Sequence, residues 1–117
     1  MRLQMRGRRS DWTEPLRQHA ERRLHFALSR FTRSVGLVTV DLRTVAGAPG
    51  RLDKTCRIAA NLSPKGRILI EATHIDPFAA INRAAEVAGR AVGRALERER
   101  ERNAGPTRST AMGGPSL

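Results

Sequence analysis

The stretch Lys54-Thr55-Cys56-Arg57-Ile58-Ala59-Ala60-Asn61-Leu62-Ser63-Pro64-Lys65-Gly66-Arg67-Ile68-Leu69-Ile70-Glu71-Ala72 decides the fold. Side chains along a strand point alternately to opposite sides. Over 54–62 this puts Cys56, Ile58, Ala60 and Leu62 on one face, and in the next run Ile68, Ile70 and Ala72 share a face. Between them, Ser63-Pro64-Lys65-Gly66 sets proline and glycine where a type I turn favours them. The stretch therefore reads as a β-hairpin with one apolar and one polar face.

Upstream, Val38, Val40 and Leu42 alternate with Thr39, Asp41 and Arg43 until Gly47-Ala48-Pro49-Gly50 breaks the run, which makes another strand. At the N-terminus Arg2, Leu3, Gln4, Met5 and Arg6 alternate in the same way. Thr13-Glu14-Pro15 reads as a helix start: a hydroxyl cap, an acid at the positive end of the dipole, and proline in the first turn. Leu16, Ala20, Leu24, Ala27, Leu28 and Phe31 then form one stripe, opposite Gln18, Glu21, Arg22, His25 and Ser29, which predicts a helix over 14–32.

Beyond the hairpin, Asp76-Pro77 repeats the start signal. Phe78, Ile81, Ala85, Ala88, Val92 and Leu96 line one side of a second helix ending near Arg102. Gly89 and Gly93 lie inside that helix, so they read as close helix packing and not as a phosphate loop. Residues 103–117 are rich in Gly, Pro, Ser and Thr, which predicts a disordered tail after a domain of residues 1–102. The order β-α-β-β-β-α, with one apolar face per strand and one stripe per helix, predicts an α+β fold: a four-stranded sheet with both helices packed on one face.

Charge sets the partner. Twenty-two Lys+Arg against 11 Asp+Glu give a formal net charge of +11 in 117 residues, and only Lys54 and Lys65 are lysine. Arginine's planar fork matches phosphate oxygens in pairs. The only aromatics are Trp12, Phe26, Phe31 and Phe78, which argues against a platform for stacking bases. No segment has the pattern of an export signal or approaches the roughly 18 apolar residues of a membrane span. A single cysteine allows no internal disulfide and suits a reducing cytosol, so a cytoplasmic protein with no membrane partner is expected.

Enzyme chemistry finds no residues to carry it. His19 and His25 stand about 240° apart around the first helix and cannot share a metal, and His74 lies past the last strand. Cys56 follows the apolar alternation, as a buried structural thiol does. No Walker loop, nucleophile elbow or His-Glu-x-x-His appears. A metal or thiol enzyme would rest on Cys56 and the histidines alone; no catalytic residue, metal, cofactor or small-molecule substrate is expected.

The second helix carries the informative surface. With Arg83 at zero, Arg90 falls at about −20°, Arg94 at about +20° and Arg98 at about +60°, with the apolar stripe near 180°. Glu86 and Glu97 flank this ridge and would, as i, i+3 and i, i+4 ion pairs, turn it into an ordinary solvated face. Arg8, Arg9, Arg22, Arg23, Lys65 and Arg67 add cations elsewhere, while Arg100, Arg102 and Arg108 lie on the tail side, outside the ridge. Binding an RNA phosphate backbone is the simplest use of such a surface. On the residues alone, a general structured-RNA binder or ribosome assembly protein remains an alternative.

The chain also resembles a known family, the hibernation-promoting and ribosome-associated inhibitor proteins of bacteria. The resemblance covers about residues 1–102. It rests on the opening strand ending at Gly7, on Asp11-Trp12-Thr13-Glu14-Pro15-Leu16-Arg17, on Asp53-Lys54-Thr55-Cys56-Arg57, and on Asp76-Pro77-Phe78-Ala79-Ala80-Ile81 followed by Arg90 and Arg94. It implies a fold akin to double-stranded-RNA-binding domains. It also implies docking on the small ribosomal subunit and its rRNA, in the channel used by mRNA and tRNA, so that idle ribosomes are silenced. Phe78 stands where that family usually has tyrosine, and Val87 where a lysine is common. Long members add a C-terminal dimerisation domain, so this chain, with only its short tail, is expected to be monomeric when free and not to pair ribosomes by that route.

Overall fold

A computed structural model describes residues 1–111, with side chains through Arg102. Its elements are β1 (Arg2–Arg6), α1 (Glu14–Leu28), β2 (Val35–Ala46), β3 (Leu52–Leu62), β4 (Arg67–His74) and α2 (Pro77–Ala111), in the expected β-α-β-β-β-α order. The strands lie in the order β1-β2-β3-β4. β1 pairs parallel with β2, Arg2 opposite Leu37, because α1 carries the chain back across the sheet between them. The other pairs are antiparallel, with Ile58 opposite Val40 on one side and Ile70 on the other.

The alternation places the core as the sequence predicts. Val38, Val40 and Leu42 of β2 and Cys56, Ile58, Ala60 and Leu62 of β3 are buried. They form one cluster with Leu16, Ala20, Leu24 and Leu28 of α1 and with Ile81, Ala84, Ala85, Ala88 and Val92 of α2. Both helices thus cover the same sheet face. The two glycines of α2 explain how closely they pack: an added β-carbon on Gly89 would stand 2.9 Å from the Ala27 carbonyl oxygen, and one on Gly93 would stand 3.3 Å from the Phe31 ring. Trp12 anchors the segment after β1, donating from its indole nitrogen to the Arg6 carbonyl at 2.6 Å.

Several boundaries differ from the expectation. α1 ends at Leu28 and Ser29–Phe31 tighten into a 3-10 turn, since the apolar stripe continues across that change of pitch. The hairpin connection is wider than a four-residue type I turn: the Leu62 N–H donates to the Gly66 carbonyl at 2.8 Å, with Gly66 at φ +115°. Phe78 stands outside the core, 38% exposed, because it opens α2 before the helix lies over the sheet, and it packs edge-on against His19. α2 runs to Ala111, past the end expected near Arg102, so the backbone of 103–111 is helical where the sequence reads as disordered. The rest of the expected tail, 112–117, lies outside the described residues.

Two stability predictions follow from the packing. Gly89→Ala gains helix propensity of about 0.8–1.0 kcal/mol but drives a β-carbon into backbone, an overpacking that costs about 1–3 kcal/mol, so the melting temperature should fall. Gly93→Ala meets only a movable ring and should leave it level or raise it. Burial pushes the Cys56 thiol up to about 12 from 9.0, with the nearby Asp41 charge adding to the rise. The unfolded thiol therefore ionises first as pH climbs above 9.0, so its contribution to stability is present below that pH and is lost on the way to about 12. Cys56→Ser should remove that alkaline component and lower stability by about 1–3 kcal/mol in denaturant titrations.

Candidate nucleic-acid interface

The phase of α2 fixes which of its side chains meet solvent. With Ile81, Ala85, Ala88 and Val92 buried, Arg83, Arg90, Arg94 and Arg98 are all exposed on the opposite side. The structure then divides Arg90, Arg94 and Arg98 of this ridge between two grooves. One runs between α1 and α2, floored by Gly89 and Gly93, with Arg30 and Phe31 on one wall and Arg90, Arg94, Glu97 and Arg100 on the other. The second lies between α2 and the β3–β4 connection, where Lys65 and Arg67 face Arg98, Glu99 and Arg102 over a floor that includes Leu62, Ile68 and Leu96.

Carboxylates offset only part of this charge. Glu86 is shared by Arg83 at 3.4 Å and Arg90 at 3.8 Å, and Glu99 meets Arg102 at 3.3 Å. Among the described residues, Arg30, Lys65, Arg67, Arg94, Arg98 and Arg100 have no carboxylate within 4.0 Å. On the open face of the sheet, by contrast, Arg43 is held by Asp41 at 3.1 Å and Arg57 by Glu71 at 2.9 Å. The Asp41 hydrogen bond, and then its charge, hold the Arg43 guanidinium still more firmly protonated.

The other candidate cations lie apart from the two grooves. Arg8 lines a depression with Gly7, Asp11, Arg43 and Thr44, and Arg9 opens the 3-10 turn after β1. Arg22 is on the outer face of α1 beside Gln18, Glu21 and His25. Arg23 is half-buried, its guanidinium 5.8 Å from the Phe26 ring centroid. Arg83 lines neither groove. Three groove cations are absent from the sequence reading of the interface: Arg30, Arg100 and Arg102. The last two line the grooves although the sequence sets them on the tail side, outside the ridge; Arg108 lies outside the described side chains. Only knowledge of how α1 and the hairpin lie against α2 would have found them.

Among the described residues no three or more His, Cys, Asp or Glu side chains come together as a metal site. His19 lies 2.6 Å from the Asn82 side-chain oxygen, and the His74 ring accepts from the Asp76 N–H at 2.9 Å. No helix is long and apolar enough to cross a membrane among the described residues.

The family model described as sigma 54 modulation protein / S30EA ribosomal protein matches residues 3–100. The chain belongs to this family. That bears out the family read from the segments at 11–17, 53–57 and 76–81. No curated protein sequence matches the chain. Among solved structures it is similar to a ribosomal subunit interface protein from Coxiella burnetii, with a TM-score of 0.68 and 17% identity over 83% of this chain and 99% of that one. It is also similar to the N-terminal domain of Protein Y from Thermus thermophilus, with a TM-score of 0.65 and 26% identity over 80% and 98% of the two chains. The four-stranded sheet with two helices is thus a fold shared with both.

The exposed Glu86 pairs have little weight in the fold, because ion pairs in water contribute about 0–1 kcal/mol. Glu86→Gln should change the unfolding free energy by less than about 0.5 kcal/mol in chemical denaturation.

Proposed function

We propose that residues 1–102 form a non-enzymatic factor that docks on the small ribosomal subunit in the cytoplasm and blocks its mRNA/tRNA channel, silencing idle ribosomes. The observation that carries this reading is the pair of cation-lined grooves flanking α2 in a member of a family described by a ribosomal protein. Each groove offers arginine forks to phosphate oxygens, which supply affinity without reading sequence. Folded rRNA presents its phosphates in fixed arrays, so shape and charge together select the site. Inhibition is then by occupancy: the bulk of the domain stands where mRNA and tRNA would pass, and no covalent step is required.

An interface neutralising on the order of five phosphates gives a log–log dependence of affinity on salt with a slope of about −3 to −5. Lys65→Ala, Arg94→Ala and Arg98→Ala combined should abolish cosedimentation with small subunits in the presence of competitor RNA. The melting temperature should stay unchanged, since all three side chains are exposed. Arg8→Ala, Arg17→Ala and Arg22→Ala combined remove the same charge away from the grooves and should leave binding largely intact. Equal loss in both variants would mean that overall charge, and no particular surface, does the binding. Retention by the first variant would move the interface elsewhere.

A further inference from the structure

Phe26 is 75% exposed, the highest value among the exposed large apolar side chains. The other aromatics have partners: Trp12 is buried, Phe31 packs where Gly93 lacks a β-carbon, and Phe78 stands edge-on to His19 with centroids 5.1 Å apart. Phe26 has only the Arg23 guanidinium, 5.8 Å from its centroid. Its place on α1 is well defined. His19, Arg23 and Phe26 recur at i, i+4 and i+7, which is one stripe of α1, and Arg30 follows in the 3-10 turn after it. Contacts with α2 fix α1 on both sides of Phe26: His19 meets Asn82 at 2.6 Å, and Ala27 packs against Gly89 on the floor of the groove that Arg30, Arg90 and Arg94 line. Phe26, the residue before Ala27, therefore stands beside that groove on the exposed side of α1.

We infer that Phe26 is a stacking platform for one unpaired base of the bound RNA, whose phosphates lie in the α1–α2 groove. This deepens the RNA-binding function proposed above and rests on it. An aromatic ring beside a cationic groove is the arrangement that holds unpaired nucleotides: the groove follows the backbone while the ring takes a base on its π-face, whatever the base. Arg23 backs the ring with a cation–π contact, and Arg30, whose guanidinium lies 5.4 Å from the Phe31 ring centroid, is the groove cation next along the chain for the adjoining phosphate. The site adds an element of single-strand recognition to a surface otherwise built for phosphates, and it favours rRNA positions where a base is extruded from its helix.

The test uses the full chain with two probes at one salt concentration, an eight-nucleotide oligoadenylate and an oligomer of the same length whose positions are abasic. The wild type should bind the oligoadenylate more tightly than the abasic strand. Phe26→Leu should weaken oligoadenylate binding by about tenfold and leave abasic binding unchanged. Phe26→Trp should keep the affinity, and its added indole fluorescence should be quenched on binding. The inference is overturned if Phe26→Leu binds oligoadenylate as the wild type does, if it loses both probes equally, or if the wild type does not distinguish them. Cosedimentation of the same variants with small subunits separates the two claims. A chain that discriminates the probes through Phe26 but does not cosediment supports stacking and refutes only the ribosomal target.

Discussion

At Gly89 of α2 a β-carbon would stand 2.9 Å from the backbone oxygen of Ala27 in α1, closer than a side chain tolerates, so the two helices can lie where they do only because that position carries none. This approach brings Ile81, Ala85 and Ala88 down onto the sheet together with Leu24 and Leu28 of α1 in one aliphatic cluster. It also makes the groove, because a glycine floor between two helices leaves a channel that larger residues would fill. Fold and surface thus share one constraint. A residue with a side chain at 89 would separate the helices, loosening the core and widening the channel at once.

Charge alone does not mark the interface, since cations are spread over the whole chain. What distinguishes the grooves is the shortage of anions within reach. On the open sheet face Arg43 and Arg57 each have a carboxylate near 3 Å, while along α2 Glu86 is divided between two arginines and Glu99 meets one. Cations crowded without partners repel one another and weaken the compact state. A phosphate backbone relieves that repulsion, so the same arrangement that is mildly unfavourable in the free protein favours the complex.

The strands and helix starts were legible because their signals are local. Alternation at Cys56, Ile58 and Ala60 and the caps at Thr13 and Asp76 concern residues a few positions apart, and the wheel of α2 needs only its own periodicity. What depends on distant parts of the chain was not legible. Nothing in the spacing says that Arg30 meets Arg94, or that Lys65 meets Arg98, because those pairings come from how α1 and the β3–β4 connection settle against α2. The ends of the helices were misread for a related reason. An apolar stripe runs through Leu28 and Phe31 whether the last turn is α or 3-10, and α2 passes a Gly-Pro pair that reads as its stop. The few aromatics in the composition likewise hid Phe26, whose position beside the groove depends on how α1 packs on α2.

The placement of the grooves also bears on how phosphate is met. A helix N-terminus binds anions through free backbone N–H groups, yet here both are occupied. Thr13 accepts from the Leu16 N–H at 3.4 Å, and Asp76 accepts from the Phe78 N–H at 2.9 Å, which also sets a carboxylate at the start of α2. The candidate grooves lie away from both N-termini, along the middle of α2 and beside the end of α1 and the hairpin connection, where the carbonyls that end α1 repel anions and attract cations. Phosphate recognition there has to come from side chains. That explains the reliance on arginine: a guanidinium carries its fork about a side-chain length away from the carbonyls, remains charged at every physiological pH, and can pair with phosphate where the backbone cannot.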